Sequence, residues 1–341
     1  MDPSHWYRLD RRRLVAAGLG LVAASAIARS AAARTLASSS VSFPVTVETS
    51  LGPVTIDAAP RRIVALSVRD VDTVVALGVT PIGASRNLTT DDGISPWLAG
   101  RLDPDMTTLL DTRTEIPLEE IAGLAPDLIV ATASFAAADV ADQLNVIAPA
   151  LIGLPPGGTD EIADRTALIG QALGLSAEAE AALVATRARQ AQVATDYPEL
   201  VGRTYTVASV RSESEIAVSA SPTQVTTQLF QSFGMVPALT PADGAFVQQV
   251  GFTPLSWEEI ALLEANILLL GYPGDGTREA LERSPLFTTL TAPAAGRYLA
   301  LPPAVNVGLT VPSVASVPWL VDQLDPFFAT AAASLRASAT T

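Results

Sequence analysis

Residues 60–85 carry the clearest change of pattern in the chain: an unbroken apolar run at 63–66, then Val71, Val74 and Val75 at helical spacing, then a second apolar stretch at 79–84. A continuous apolar run of that length suits a strand covered on both faces. Ser67 with Asp70 three residues later opens a helix as a capping pair, and Gly78 closes it. Strand, helix and strand in so short a span form a βαβ unit, which predicts a parallel sheet. Ligands of such sheets bind beyond the carboxyl ends of the strands. That rule points to residues 67–69 and 85–87.

The same reading extends along the chain. Stretches 43–47 and 53–56, joined around Ser50-Leu51-Gly52, predict a hairpin, and the Gly, Pro and Asp content of 87–104 predicts a long loop carrying Trp97. Pro117 opens a helix through Leu124, followed by a strand at 128–131, a helix at 136–144 and a strand at 146–154. Helices at 159–173, stopped by Gly174, and at 176–196 then break the βα rhythm. Beyond them, strands are predicted at 204–210, 215–218, 267–271 and 298–301, and helices at 222–233, 255–263, 277–283 and 316–335, the last after a Pro-rich loop. The motif Glu119-Glu120-Ile121-Ala122 recurs as Glu258-Glu259-Ile260-Ala261, each followed at the same offset by an apolar strand. The expected architecture is α/β with two lobes of mainly parallel sheet, 44–158 and 175–341, joined by a long helix at 159–174.

The N-terminus changes the picture of where the protein works. Arg11, Arg12 and Arg13 precede an apolar run at 14–27, and Ala31-Ala32-Ala33 offers a small-residue cleavage site. This is the pattern of a signal peptide at 1–33, cleaved after Ala33 or nearer Ala37, with a flexible linker at 34–43. The paired arginines resemble the twin-arginine export motif, so the expected address is the periplasm. The sequence has no cysteine, which removes disulfides and the lipid attachment point of a lipoprotein.

Charge and residue types narrow the chemistry. The net charge is −14, and because residues 1–33 hold five Arg against two Asp, the remainder carries −17. Nucleic acid is therefore not an expected partner. The single histidine, His5, lies in the signal, so histidine-based catalysis, Cys nucleophiles and soft metal sites are excluded from the rest. No catalytic or metal-binding set is predicted; carboxylate-only hydrolysis is the alternative class left open, without a paired-carboxylate motif to support it. What remains is arginine at strand ends. Arg69 and Arg86 follow the first two strands, Arg113 precedes the Pro117 helix and Arg211 follows the strand opening the second lobe. Guanidinium suits bidentate anion binding. Trp97, Phe135, Phe246 and Tyr272 fall on loops or strand ends where they could line an apolar cleft beside those arginines.

Three stretches carry a family resemblance: Pro60-Arg61-Arg62-Ile63-Val64-Ala65-Leu66, Ala76-Leu77-Gly78-Val79-Thr80-Pro81-Ile82-Gly83 and Ala125-Pro126-Asp127-Leu128-Ile129-Val130. With them the chain resembles the iron-siderophore periplasmic binding proteins of ABC importers, the class III type with a helical connection between lobes. The resemblance implies capture of a ferric siderophore in an inter-lobe cleft by a monomer and delivery to a membrane permease. It implies no cofactor, since iron arrives within the ligand, and only a small closure on binding. It is nearest to hydroxamate binders around Asp111-Thr112-Arg113-Thr114-Glu115, which gives Arg113 the role of contacting iron-bound oxygens. Those relatives carry a Tyr contact after the next strand, where Phe135 cannot donate a hydrogen bond. Glu119 and Glu258 match the glutamates with which such proteins engage permease arginines. Cobalamin or haem, the latter with Tyr272 as ligand, are alternative cargoes of the same fold.

Overall fold

The chain enters the fold through an antiparallel hairpin, β1 (Val45–Thr49) and β2 (Gly52–Ile56), turning on Gly52 at a φ of 109°. The computed structural model describes residues 42–158, 160–222, 224–239 and 252–339. The expected signal, most of the expected linker and Phe246 therefore lie outside the described residues.

The βαβ unit follows as β3 (Ile63–Ala65), α1 (Val68–Ala76) and β4 (Gly83–Ser85), with Ser67 capping α1 by accepting from the Asp70 amide. The chain continues through β5 (Thr108–Leu110), α2 (Leu118–Gly123), β6 (Leu128–Ala131), α3 (Phe135–Asp139), α4 (Ala141–Ile147) and β7 (Ala150–Ile152). These strands form one sheet in the order β5-β4-β3-β6-β7, every neighbour parallel. Strands β4 and β5 extend to one side of β3 while β6 and β7 extend to the other. The order reverses between β3 and β6, and a crevice opens above such a point.

Two expectations are corrected here. The strand predicted at 146–154 is only Ala150–Ile152, because residues 145–147 complete α4, and Asn145 Oδ1 accepts the Ala150 amide to turn the chain into the strand. Strand β5 lies just beyond the predicted loop at 87–104, and that loop contains a 3-10 turn at Pro96–Leu98. The charged residues of two of the sequence motifs have a structural task. Asp127 accepts the amides of Arg61 and Arg62, and the Arg62 guanidinium donates to the carbonyls of Leu124 and Ala125 at the end of α2. These bonds tie the start of β3 to the start of β6 and satisfy orphan helix carbonyls.

Next come α5 (Glu161–Leu173), capped by Asp160 and ended by Gly174 at a φ of 70°, and α6 (Ser176–Asp196). The second half contains β8 (Thr204–Ser212), β9 (Glu215–Ser219), α7 (Val225–Ser232), β10 (Val236–Pro237), β11 (Phe252–Leu255) and β12 (Ile267–Gly271). After these come α8 (Asp275–Glu282), α9 (Thr291–Ala294), β13 (Tyr298–Ala300), α10 (Pro303–Thr310) and α11 (Ser316–Ala339). Strands β8, β12 and β13 run parallel, but β9 is antiparallel to both β8 and β11, so this sheet is mixed. The stretch predicted as one helix at 255–263 divides into the end of β11 and a 3-10 helix at Trp257–Leu263, opened by a capping box of Ser256 and Glu259. Part of the predicted Pro-rich loop is α10, for which Pro303 serves as a first-turn residue.

The chain's end returns to its beginning. Trp97 stacks at a tilt on Trp319 of α11, with centroids 5.3 Å apart, and Ala315 packs in the apolar cluster of α1 residues Val71 and Val75. Among the described residues no helix is long and apolar enough to cross a membrane.

Candidate functional site

The carboxyl ends of β3, β4, β5 and β6 converge on a cavity of about 330 Å³, within the range of small-ligand sites. Arg69, Arg86 and Arg113 all line it, and so do the hydroxyl residues Ser67, Ser85, Thr112 and Ser134. Among the described residues no Asp or Glu does, in a chain with 35 acidic residues. Phe135, 91% exposed, stands at its edge as the first residue of α3. Ser85 and Thr112 share a hydrogen bond of 2.7 Å, which joins the ends of β4 and β5.

Arg86 and Arg113 are exposed, and neither forms an ion pair with any described residue. Each lies just past the end of a strand: the Arg86 amide donates to the Leu110 carbonyl, and the Arg113 amide to the Asp111 side chain. Arg69 differs. Its guanidinium is bonded to Glu161 at the start of α5, and burial lowers its pKa, opposed by the carboxylate of Glu161.

Beneath the cavity lies a closed ionic cluster. Arg165, 2% exposed, bonds Glu161 at 2.5 Å and the Thr132 hydroxyl at 3.0 Å, and lies 3.7 Å from Asp70. Asp70 is fully buried and also accepts from Ser67, at 2.6 Å, and from Thr132. Two guanidiniums and two carboxylates balance one another there, and they fix the β3–α1 and β6–α3 junctions that form the cavity floor. Sequence reasoning passed over this cluster. The signal was present: Arg165 falls on the apolar stripe of Ile162 and Ile169, and a buried Arg needs partners.

The other predicted residues are placed elsewhere. Trp97 was expected in the cleft but is buried between α1 and α11, donating to Asp72 at 2.8 Å. Arg211 was expected just past its strand, but β8 runs on through it to Ser212. It bonds Glu215 at 3.2 Å across the β8–β9 turn and lies over the Phe252 ring, and it does not line the cavity. The Tyr272 hydroxyl bonds that of Tyr298 at 2.8 Å, and Tyr298 donates to Glu282; burial pushes the Tyr272 phenol up to about 12. Glu119 and Glu258 are exposed, each in the first turn of a short helix.

A larger cavity, about 790 Å³, lies between the start of α5 and α7. Its charged lining among the described residues is Asp160, Glu161, Asp164 and Arg187, with Arg187 already paired to Asp160 at 3.3 Å. Net negative charge makes it the poorer place for an anion, so the arginine-lined cavity is the candidate site. Among the described residues no cluster of acidic or histidine side chains could hold a bare metal ion.

Residues 63–305 match the family described as periplasmic binding protein. The chain is 30% identical over 256 residues to the Fe(3+) dicitrate-binding periplasmic protein FecB of Escherichia coli (strain K12), covering 73% of this chain and 79% of that protein. It is 26% identical to the Fe(3+)-citrate-binding protein YfmC of Bacillus subtilis (strain 168), covering 71% and 73%. A periplasmic solute binding protein from Mycobacterium smegmatis superposes with a TM-score of 0.74 at 26% identity, over 84% of this chain and 98% of that one.

Proposed function

The chain belongs to the periplasmic binding protein family, and from that premise we propose that it captures a ferric chelate outside the cytoplasm and hands it to an ABC importer. The ligand is a polycarboxylate complex of ferric iron, of the citrate kind that two relatives are named for. One observation carries this reading: a cavity at the reversal point of a parallel sheet lined by three guanidiniums, two of them free of ion pairs, and, among the described residues, by no carboxylate, in a chain of net charge −14. A polyanion approaching so acidic a protein needs a local positive field, and planar guanidiniums match its carboxylates.

In this reading Arg86 and Arg113, free of ion pairs, hold the ligand, the hydroxyl of the Ser85–Thr112 pair whose proton is not used in their mutual bond donates to it, and Phe135 covers its apolar edge. Iron arrives already chelated; among the described residues no acidic or histidine cluster offers it a ligand set. The family is one of substrate-binding proteins, so no catalysis is invoked. Glu119 and Glu258 stand exposed for contact with permease arginines, and export on the Arg11–Arg13 signal places the protein on the outer side.

Titration with ferric citrate, ferric trihydroxamate, ferric catecholate and cobalamin, followed by tryptophan fluorescence and calorimetry, tests the proposal. Saturable binding of ferric citrate is expected; absence of binding to every iron chelate overturns it. Uptake by cells carrying Glu119→Ala/Glu258→Ala is expected to fall while the purified variant keeps its chelate affinity. Unimpaired uptake would remove the docking role.

A further inference from the structure

Three guanidiniums line the candidate site, but their surroundings are unequal. Arg86 and Arg113 have no carboxylate bonded to them among the described residues, whereas Arg69 is held by Glu161. The Glu161–Arg69 pair links the linings of the two cavities: Glu161 lines the larger one, while its partner Arg69 lines the smaller. Its carboxylate also anchors Arg165, whose other charged neighbour is Asp70. The side chain of Glu161 is 32% exposed and that of Arg69 20%, so the pair is open enough to solvent to be reached by a competing anion.

We propose that Glu161 is a specificity-determining residue: a built-in anion that occupies Arg69 and leaves the site two free guanidiniums instead of three. The inference rests on the anionic-chelate reading above. Glu161 does not touch the ligand. It acts through Arg69, as a positioning residue and as a fixed negative charge beside the cavity, and it sets how much negative charge a ligand must bring to be held. Replacing Glu161 by Gln keeps an oxygen to accept from Arg165 and Arg69 and removes the charge, so the geometry is retained while the field in the cavity rises.

The experiment is ferric citrate titration of the wild type, Glu161→Gln and the double variant Arg69→Gln/Glu161→Gln at low and high salt. Glu161→Gln is expected to bind about fivefold more tightly at low ionic strength, and that gain is expected to vanish near 1 M salt, where the Debye length is about 3 Å. The double variant, which removes one charge of each sign, is expected to stay within about twofold of the wild type. It leaves no new unpaired charge, so it tests the idea even if the single variant does not fold. Equal or weaker binding by Glu161→Gln, a gain that persists in high salt, or a large loss in the double variant overturns the inference while wild-type binding leaves the chelate reading standing. Failure of the wild type itself to bind ferric citrate overturns both.

Discussion

Asp70 and Asp72 lie two residues apart on the same helix, both with no exposed surface, and the protein treats their charges in opposite ways. Asp70 faces the cavity floor, where Arg165 sits 3.7 Å away and the hydroxyls of Ser67 and Thr132 donate to it. Asp72 faces the joint with the C-terminal helices and meets only neutral donors, the Ser313 hydroxyl at 2.6 Å and the Trp97 indole at 2.8 Å. Arg101 and Arg165 act on it from farther off, so burial dominates and pushes its carboxyl up to about 7. The contrast teaches that a buried charge here is either balanced by a guanidinium, and so serves as a rigid support for the site, or left to bind a proton near neutrality. The site's floor is ionic and its outer joint is protonatable.

The largest test of that contrast removes the guanidinium. Arg165→Met leaves Asp70 buried without its charge partner and leaves Glu161 with Arg69 alone. Breaking a buried pair on one side is expected to destabilise the fold by as much as about 5 kcal/mol, read by denaturant unfolding. A loss under about 1 kcal/mol would mean that the hydroxyls alone support Asp70, and the two aspartates would then be alike.

Asp72 gives the next largest effect. Its folded pKa lies above its unfolded one, so the folded state holds an extra proton between about pH 4 and about pH 7, and stability falls as pH rises through that window and is flat above it. The span is on the order of 4 kcal/mol for this one group. Asp72→Asn keeps an acceptor for Trp97 and a donor for Ser313, removes the titration, and is expected to be more stable than the wild type at pH 8 but not at pH 4. Parallel pH profiles for the two proteins would contradict the assignment. Trp97 emission, reporting on the bonded indole of the folded state, should titrate around pH 7 in the wild type alone.

How much of this the sequence disclosed depends on whether the cause was local. The βαβ unit, the caps at Ser67 and Gly174 and the long α6 were legible because spacing and capping chemistry act within a few residues. Strand β5 and helix α10 were not, since three residues of strand and a Pro-opened helix are set by tertiary packing more than by propensity. The arginines at strand ends were legible from topology: once a strand is parallel, its carboxyl end is the ligand side. Which of them are available was not, because the partner of Arg69 comes from chain folding, Glu161 lying 92 residues beyond it. Trp97 was misplaced for the same reason: a loop aromatic finds its partners, Asp72 and Trp319, only in three dimensions.

The distinction between balanced and unbalanced charge also ranks the arginines of the site. Arg113→Ala removes a guanidinium that no described carboxylate occupies, so chelate affinity is expected to fall by about 2 kcal/mol or more, with the unfolding midpoint unchanged. Unchanged affinity would show that an unpaired arginine here is merely a solvated one.

Arg211 supplies the counterpart and the smallest effect. It lies near the end of the strand that opens the second half, yet it is bonded to Glu215 four residues on and rests over Phe252. Both members of that pair are about half exposed, so the pair is screened by water and salt and is worth little on its own. Arg211→Ala is therefore expected to change stability by no more than about 0.5 kcal/mol and to leave chelate affinity alone. Loss of binding comparable to that of Arg113→Ala would mean that the Glu215 pairing yields to the ligand, and that an arginine balanced in the empty protein can still be recruited when an anion enters.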